Sequence, residues 1–253
     1  WTGRRFDMQQ FVFPKFDMES FQPQAIPDNL RLGHQMEYVF KRFIEVSRQY
    51  DVRLHNLQIR NNKKTLGEID FILLELLTGK FIHVELTCKF YIIDPEIAEP
   101  INRLIGPNRR DSFVAKLNKI KNVQYPLIHS RAGEQALIEA NVDSHDVEHQ
   151  CCFKAQVFIP FGLPDTSIEP LNQKCIAGYW LRLEDLNSST FNHVQLYIPT
   201  KSEWVIDPHE DVNWKSRLHG MAQIIEILAI EKAPMVWMNR SDTAYEKFFV
   251  VWW

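Results

Sequence analysis

Residues 67–92 alternate apolar and polar side chains almost without a break, which predicts two strands joined by a tight turn. From residue 81 onward the apolar positions are Ile82, Val84, Leu86, Cys88, Phe90 and Ile92. The positions between them are Phe81, His83, Glu85, Thr87, Lys89 and Tyr91. A strand with one core face needs only the first set, whereas the second aligns a histidine, a carboxylate, a hydroxyl and an amine. The core residues predicted in the preceding strand are Ile69, Phe71 and Leu73, with Glu68 and Asp70 on the polar face.

The turn between these strands decides whether the two polar sets meet. A two-residue turn at Thr78-Gly79 would place Asp70 opposite Thr87. The alternative is a three-residue turn with a bulge at its glycine, which would put Asp70 among apolar side chains. We favour the first register, because a slip of one residue exposes the hydrophobic set. Asp70 then has Glu85 and Lys89 as diagonal neighbours roughly 7–8 Å away, and the two carboxylates can converge on one divalent cation.

The rest of the chain alternates helical and extended patterns. Residues 1–27 are predicted to run extended across the surface, and residues 28–49 to form a helix capped by Asp28 or Asn29. A second helix is predicted to begin after Asp111 or Ser112, and a further helix lies near 216–231. The remaining predicted strands are 53–60, 154–161, 175–183, 193–199, 202–206, 235–238 and 247–253. This order is typical of an α/β or α+β fold with a mixed sheet flanked by helices.

Composition narrows the class of protein. The chain has 253 residues, 45% of them apolar and 24% charged, as expected for a globular protein. No apolar run approaches the roughly 18 residues that span a bilayer. The net charge of −3 argues against general binding of nucleic acid but allows a local basic patch. The candidates for that patch are Arg103, Arg109, Arg110, Lys116, Lys119 and Lys121.

Motifs that the chain lacks also limit its chemistry. There is no Gly-rich phosphate loop, no GxSxG and no HExxH, which disfavours P-loop nucleotide hydrolysis, serine hydrolysis and zinc proteolysis. None of the cysteines forms a CxxC pair, so we interpret them as reduced thiols of a cytoplasmic protein. They are Cys88, Cys151, Cys152 and Cys175.

Several blocks of the chain resemble a known family. The runs LGHQMEYVF, HNLQIR, TLGEIDF, HVELTCKFY and DSFVAKLNKIKNVQ are similar to blocks of the bacterial domain of unknown function 1853 family, over roughly residues 28–200. That family is grouped by similarity with the PD-(D/E)XK nuclease superfamily. The resemblance implies a PD-(D/E)XK restriction-endonuclease-like core at 28–165, after an extended segment at 1–27. A β-rich C-terminal extension at 166–253 would pack on the core.

The resemblance also implies roles for individual residues. Asp70 and Glu85 would ligate Mg²⁺ or Mn²⁺, Lys89 would be the catalytic lysine, and Glu37 on the first helix would support the site. The residues expected to contact the nucleic-acid substrate are Gln124, Lys116, Arg110, Thr87 and His83. The motif departs from the usual one, because Glu85 and Lys89 are four residues apart, about 13 Å along a straight strand. Thr87 occupies the place of the usual acid.

Each of these residues also has a structural interpretation. Asp70 and Lys89 would then form an ion pair, Glu37 would be a solvated residue at the border of its helix, and His83 a core histidine. Gln124 lies in the apolar stripe of its helix, where a site-facing role and a structural hydrogen bond are both predicted. The leading prediction is a metal-dependent nuclease acting on DNA or RNA. The alternatives are a non-catalytic nucleic-acid- or protein-binding module that retains the nuclease fold, and a structural interaction protein.

Overall fold

The computed structural model describes residues 1–15, 21–27, 29–241 and 244–253. The chain forms two compact units, each with a mixed sheet and helices, which confirms the predicted α/β class. Unit 1 consists of Trp1–Cys88 and Ala115–Lys154, and unit 2 of Lys89–Val114 and Ala155–Trp253. Each unit is therefore built from two segments that are separate in sequence, whereas the sequence predicts boundaries at residues 27 and 165.

The described part of the chain contains the following elements. The helices are α1 (Leu32–Ser47), α2 (Phe113–Lys119), α3 (Arg131–Glu139) and α4 (Arg217–Leu228). The first six strands are β1 (Arg4–Arg5), β2 (Met8–Gln10), β3 (Tyr50–Asn61), β4 (Lys64–Glu75), β5 (Phe81–Ile93) and β6 (Leu104–Ile105). The other strands are β7 (Val147–Pro160), β8 (Ile176–Arg182), β9 (Gln195–Tyr197), β10 (Lys215–Ser216), β11 (Met235–Ser241) and β12 (Ala244–Val251). Among these residues no helix combines the length and the apolar character needed to cross a bilayer.

Both faces of the unit 1 sheet are buried. Strands β3, β4 and β5 are antiparallel, and β2 runs parallel to β7. Helix α1 covers one face through Phe40, whose ring centroid lies 4.7 Å from that of Phe71. On the other face Leu137 of α3 packs in one cluster with Ile72. The expectation of a single core face was therefore wrong, because α3 and residues 125–129 cover the face that carries the polar row.

The turn between β4 and β5 differs from the predicted one. The strands pair Phe71 with Val84 and Leu74 with Phe81. A four-residue loop joins them, closed by hydrogen bonds from Glu75 N to Lys80 O (2.9 Å) and from Gly79 N to Glu75 O (2.8 Å). The predicted two-residue turn was therefore wrong, and the register is shifted by two residues. Since two residues is the strand period, the side chains of the paired stretch keep their predicted faces. Ile69 does not, because it packs with Ile72 and not with Phe71 and Leu73.

The N-terminal half of the chain confirms most of the predicted elements. Of the two proposed caps of α1, Asp28 lies outside the described residues, and Asn29 precedes a helix whose cap position is Arg31. The inner stripe predicted for the second helix is buried, and it consists of Phe113, Leu117 and Ile120. The N-terminal segment is more than a surface strand, because β2 joins the sheet and Phe11 is buried beside Phe40.

Unit 2 is organised around β8 and β12, which are parallel. Strand β11 pairs antiparallel with β12 and β9, and β10 pairs with β9. Helix α4 packs on this sheet, with Ile224 in the same buried cluster as Val236 and Phe248. The predicted strand at 202–206 was wrong, since Glu203–Val205 is a 3₁₀ turn. The Glu203 carboxylate accepts hydrogen bonds from the Thr200 backbone N–H (2.6 Å) and hydroxyl (2.7 Å), which closes the turn.

Candidate functional site

Two carboxyl groups lie where β4 and β5 stop pairing. The last paired residues are Phe71 and Val84, and the next position along each strand is Asp70 and Glu85. The Asp70 side chain replaces a ladder bond, because its Oδ2 accepts a hydrogen bond from the Leu86 backbone N–H at 2.8 Å. A side-chain hydrogen bond also joins Asp70 to Glu85. We call these two residues the carboxylate pair.

The carboxylate pair is buried, with Asp70 8% and Glu85 0% exposed. The pKa of Asp70 is raised to about 8, chiefly by burial and then by the charge of Glu85, while the Leu86 N–H acts in the opposite direction. Burial also raises the pKa of Glu85, and the Lys116 ammonium is the largest opposing influence. Near pH 7 the pair therefore favours holding a proton or another cation over carrying two uncompensated charges.

Glu85 is hydrogen-bonded through both of its oxygens. Oε2 accepts a hydrogen bond from the Gln124 amide, and Oε1 lies 3.0 Å from His83 Nε2. The Gln124 side-chain oxygen accepts a hydrogen bond from the Lys116 ammonium at 2.9 Å. One amide thus connects the carboxylate pair to a cation on α2.

A pair of histidines fixes the orientation of Glu85 from the other side. Burial, and to a smaller extent His129, lowers the pKa of His83 to about 3, so at pH 7 its contact with Glu85 is a hydrogen bond and not an ion pair. When Glu85 is ionised, Nε2 donates to it, and Nδ1 then accepts from His149 Nδ1 at 3.1 Å. Burial lowers the pKa of His149 to about 4, and its ring stacks on Tyr125 with centroids 4.5 Å apart.

A π-helical turn brings Gln124 to the site. The turn at Ile120–Gln124 follows α2 directly and adds one residue to the helical repeat. An α-helical period places Gln124 within the apolar stripe, and the structure uses this inward position for a hydrogen bond to Glu85. The sequence predicts two roles for Gln124, facing the site or making a structural hydrogen bond. The observed hydrogen bond is to Glu85, which is itself a candidate site residue.

Thr87 leaves a polar atom without a partner. It lies on the same strand face as Glu85, two residues further along β5, and is 4% exposed. Its Oγ1 is buried and makes no hydrogen bond with any described residue. A buried hydroxyl without a hydrogen-bond partner lowers the stability of the fold. A ligand that reaches this face could form a hydrogen bond with the Thr87 hydroxyl as donor or acceptor.

Glu37 lies beside the carboxylate pair, on α1. Its charge contributes to the raised pKa of Asp70. Its Oε2 accepts hydrogen bonds from His34 Nδ1 and Asn56 Nδ2, both at 2.8 Å. One ligand atom from each of His34, Glu37 and Glu68 lies within 4.8 Å of the others, and no other such group of three occurs in the described residues. Glu37 is therefore held in place by neighbours on two elements, His34 on α1 and Asn56 on β3.

The remaining residues predicted for the site lie in unit 2. The Lys89 ammonium pairs with Asp111 Oδ2 at 2.7 Å, and both side chains are partly exposed. Arg110 is exposed. Unit 1 brings together Asp70, Glu85, Glu37, Lys116, Gln124, Thr87 and His83. The catalytic roles assigned to all of these residues stay predictions.

The comparisons with known proteins identify the family. A family model described as Domain of unknown function (DUF1853) matches residues 16–251. The chain belongs to this family. A search of curated proteins and of solved structures gave no match. The blocks that suggested DUF1853 from the sequence include those that carry Glu37, Asp70 and Glu85.

One residue of this DUF1853 site was missed by sequence reasoning. His149 is not among the residues that the sequence predicts for the site, but it lies on β7 and contacts His83. Alternation along 147–151 would have placed Val147, His149 and Cys151 on one strand face. That pattern gives the face and not the partner, so the contact with His83 had no signal in the sequence.

Proposed function

We propose that this DUF1853 protein is a divalent-cation-dependent nuclease that hydrolyses nucleic-acid phosphodiester bonds at the carboxylate pair, on a PD-(D/E)XK-like core. The observation that carries the proposal is the burial of Asp70 and Glu85 against one another, with both pKa values raised. Burial disfavours the ionised form of both carboxyl groups, and a bound cation would supply the positive charge that stabilises it. The four free cysteines support a reducing, cytoplasmic location.

The donors fit Mg²⁺ or Mn²⁺. Two carboxylates and the unpartnered Thr87 hydroxyl offer oxygen only, which suits hard divalent ions that complete their shell with water and phosphate oxygens. Asp70 and Glu85 would hold the ion, with Glu37 as a supporting charge. Bound there, the ion would polarise a phosphate oxygen and lower the pKa of a coordinated water.

Lys116 is the lysine that we assign to the reaction. Its charge acts on both Asp70 and Glu85, and its ammonium is held by Gln124. An ammonium at this position stabilises negative charge that develops on a phosphate. Lys89 occupies the motif position, but its ammonium is paired with Asp111. We therefore propose that the catalytic cation comes from α2 and not from β5.

One observation favours a non-catalytic nucleic-acid-binding module as the second candidate. Glu85 is 0% exposed and both of its oxygens already accept hydrogen bonds. A carboxyl satisfied in this way can hold a proton shared with Asp70 and serve the fold alone. In that case the lysines of α2 would bind a nucleic-acid backbone without cleavage.

The deciding experiment is cleavage of single- and double-stranded DNA and RNA with Mg²⁺ or Mn²⁺. We expect cleavage that EDTA abolishes, that Asp70→Asn reduces below detection, and that Lys116→Gln reduces by on the order of 100-fold. Lys89→Gln is the matched control, since it removes the same charge from the motif position, and it should retain most of the activity. Loss of activity in Lys89→Gln with full activity in Lys116→Gln would refute our choice of lysine. A folded wild type that neither cleaves nor binds Mn²⁺ would refute the nuclease.

A further inference from the structure

A cleft between α1 and β3 shares Glu37 with the candidate site, and its other lining residues have no role in the chemistry described above. It has a volume of about 540 Å³. The side chains that line it include His34, Glu37, Tyr38, Lys41, Arg42 and His55. Of the ten residues that line it, four carry basic nitrogen atoms and two, Glu37 and Glu45, are carboxylates. This excess of bases favours an anion as the ligand.

Pairing within the cleft leaves two of the bases without a close carboxylate. His34 is hydrogen-bonded to Glu37 at 2.8 Å, and Arg42 Nη1 to Glu45 at 2.8 Å. Lys41 approaches Glu45 only to 3.9 Å, and its ammonium lies 2.9 Å from His55 Nε2. A lysine can only donate, so this contact requires a neutral His55 that accepts at Nε2. An oxyanion placed between Lys41 and His55 would accept hydrogen bonds from both side chains, and His55 would no longer need to be an acceptor at Nε2.

Arg42 provides a second, independent indication of an anion. Its Nε atom is buried and has no hydrogen-bond acceptor among the described residues. Buried guanidinium N–H groups are rarely left without an acceptor. An anion entering the cleft beside Lys41 would supply one after a small rotation of the side chain.

The position of the cleft relates it to the carboxylate pair. Glu37 lines the cleft, and its charge acts on Asp70. Lys41 follows Glu37 by one turn of α1, a rise of about 6 Å. A chain of phosphates that passes the carboxylate pair would therefore bring its next phosphate to Lys41 and His55.

We propose that the α1–β3 cleft binds the phosphate next to the one that is cleaved, on a single strand of nucleic acid. The inference rests on the proposed function, and it adds the site that holds the substrate strand. We expect a cleft of about 540 Å³ to accommodate one nucleotide. Tyr38 lines the cleft, and an unpaired base can stack on an aromatic side chain of this kind. Lys41 and His55 are the phosphate contacts.

The test is binding of a short fluorescein-labelled oligothymidylate to Asp70→Asn protein in EDTA, followed by fluorescence anisotropy over a series of salt concentrations. We expect Lys41→Gln and His55→Gln each to raise Kd about 10-fold. Lys41→Gln should also reduce the slope of log affinity against log salt by about 0.7, as one lost phosphate contact on a single strand requires. Lys63→Gln is the control, because Lys63 is an exposed lysine in the turn between β3 and β4.

The outcomes separate this inference from the nuclease itself. If Lys41→Gln and His55→Gln bind as Lys63→Gln does, the cleft proposal is overturned, whether or not the wild type cleaves. If they weaken binding while the wild type shows no cleavage, the cleft stands and the nuclease fails. Displacement of the oligonucleotide by polyglutamate at equal charge concentration would also overturn the proposal, since it would indicate a site for acidic protein.

Discussion

His83 is fully buried between a carboxylate and a second imidazole. Its role is to donate one hydrogen bond, from Nε2–H to Glu85 Oε1. His149 is hydrogen-bonded to the other ring nitrogen of His83, Nδ1, and this bond fixes the tautomer that carries the proton on Nε2. A residue so placed orients a candidate metal ligand without meeting the substrate. The sequence-based expectation that His83 contacts a phosphate thus has less support than a role in positioning Glu85.

Replacing His83 should show how much this one donor contributes. His83→Phe keeps an aromatic ring but leaves a buried oxygen of Glu85 without its donor, which we expect to cost about 1–3 kcal/mol in the free energy of unfolding. His83→Gln retains an N–H and should lose less. Thermal unfolding at neutral pH measures both. Equal melting temperatures for the two variants would mean that the hydrogen bond has no weight in stability.

Strand period alone was enough to find part of the site. His83, Glu85 and Thr87 lie on one face, and Asp70 meets them, because alternation does not depend on tertiary contacts. Lys116 was visible only as one member of a basic patch, since its approach to Glu85 depends on how α2 packs. The partner of Lys89 was not predictable for the same reason, because Asp111 lies 22 residues away in sequence.

The hairpin loop shows how one element sets the register of a site. Gly79 has φ +73°, a conformation that costs an L side chain about 1 kcal/mol or more. We expect Gly79→Ala to lower the melting temperature by about 2–4 °C. Gly33→Ala is the matched control, since Gly33 lies in α1 with no atom near its added Cβ. That change should raise the melting temperature, because alanine favours helix. Lower stability in both variants would contradict the argument from φ.

Elements with a strong period were predicted, and those that depend on packing were not. Helices α1, α2 and α4 and the long strands followed from apolar spacing. Helix α3 was not predicted, because nine residues give little periodicity, although Ser130 caps it by accepting a hydrogen bond from Gly133 N at 3.0 Å. The π-helical turn was also missed, since an α-helical period cannot show an inserted residue.

The carboxylate pair affects the stability of the whole molecule. Its raised pKa values mean that the folded protein binds more protons than the unfolded chain between the ordinary carboxyl range and about pH 8. The contribution of the pair to the free energy of unfolding is therefore greatest in acid and is lost as pH rises toward 8. His83 and His149 act in the opposite direction below about pH 6.5, because their pKa values are lowered.

We therefore expect Asp70→Asn to raise the melting temperature in EDTA more at about pH 8 than at about pH 5. Mn²⁺ should raise the melting temperature of the wild type at about pH 8, and should have little effect on Asp70→Asn. Asp51→Asn, an exposed carboxylate of β3, is the control and should follow the wild type. A difference between wild type and Asp70→Asn that does not change with pH would contradict a raised pKa at Asp70.

The interleaving of the two units has a consequence for synthesis on the ribosome. Unit 1 needs residues up to Lys154, but the growing chain delivers Lys89–Val114 of unit 2 before it completes unit 1. At roughly 5–20 residues per second, the first segment of unit 1 waits several seconds for the second. During that wait the apolar faces of β4 and β5 lack α3, so we expect the nascent chain to expose apolar surface that is prone to aggregation.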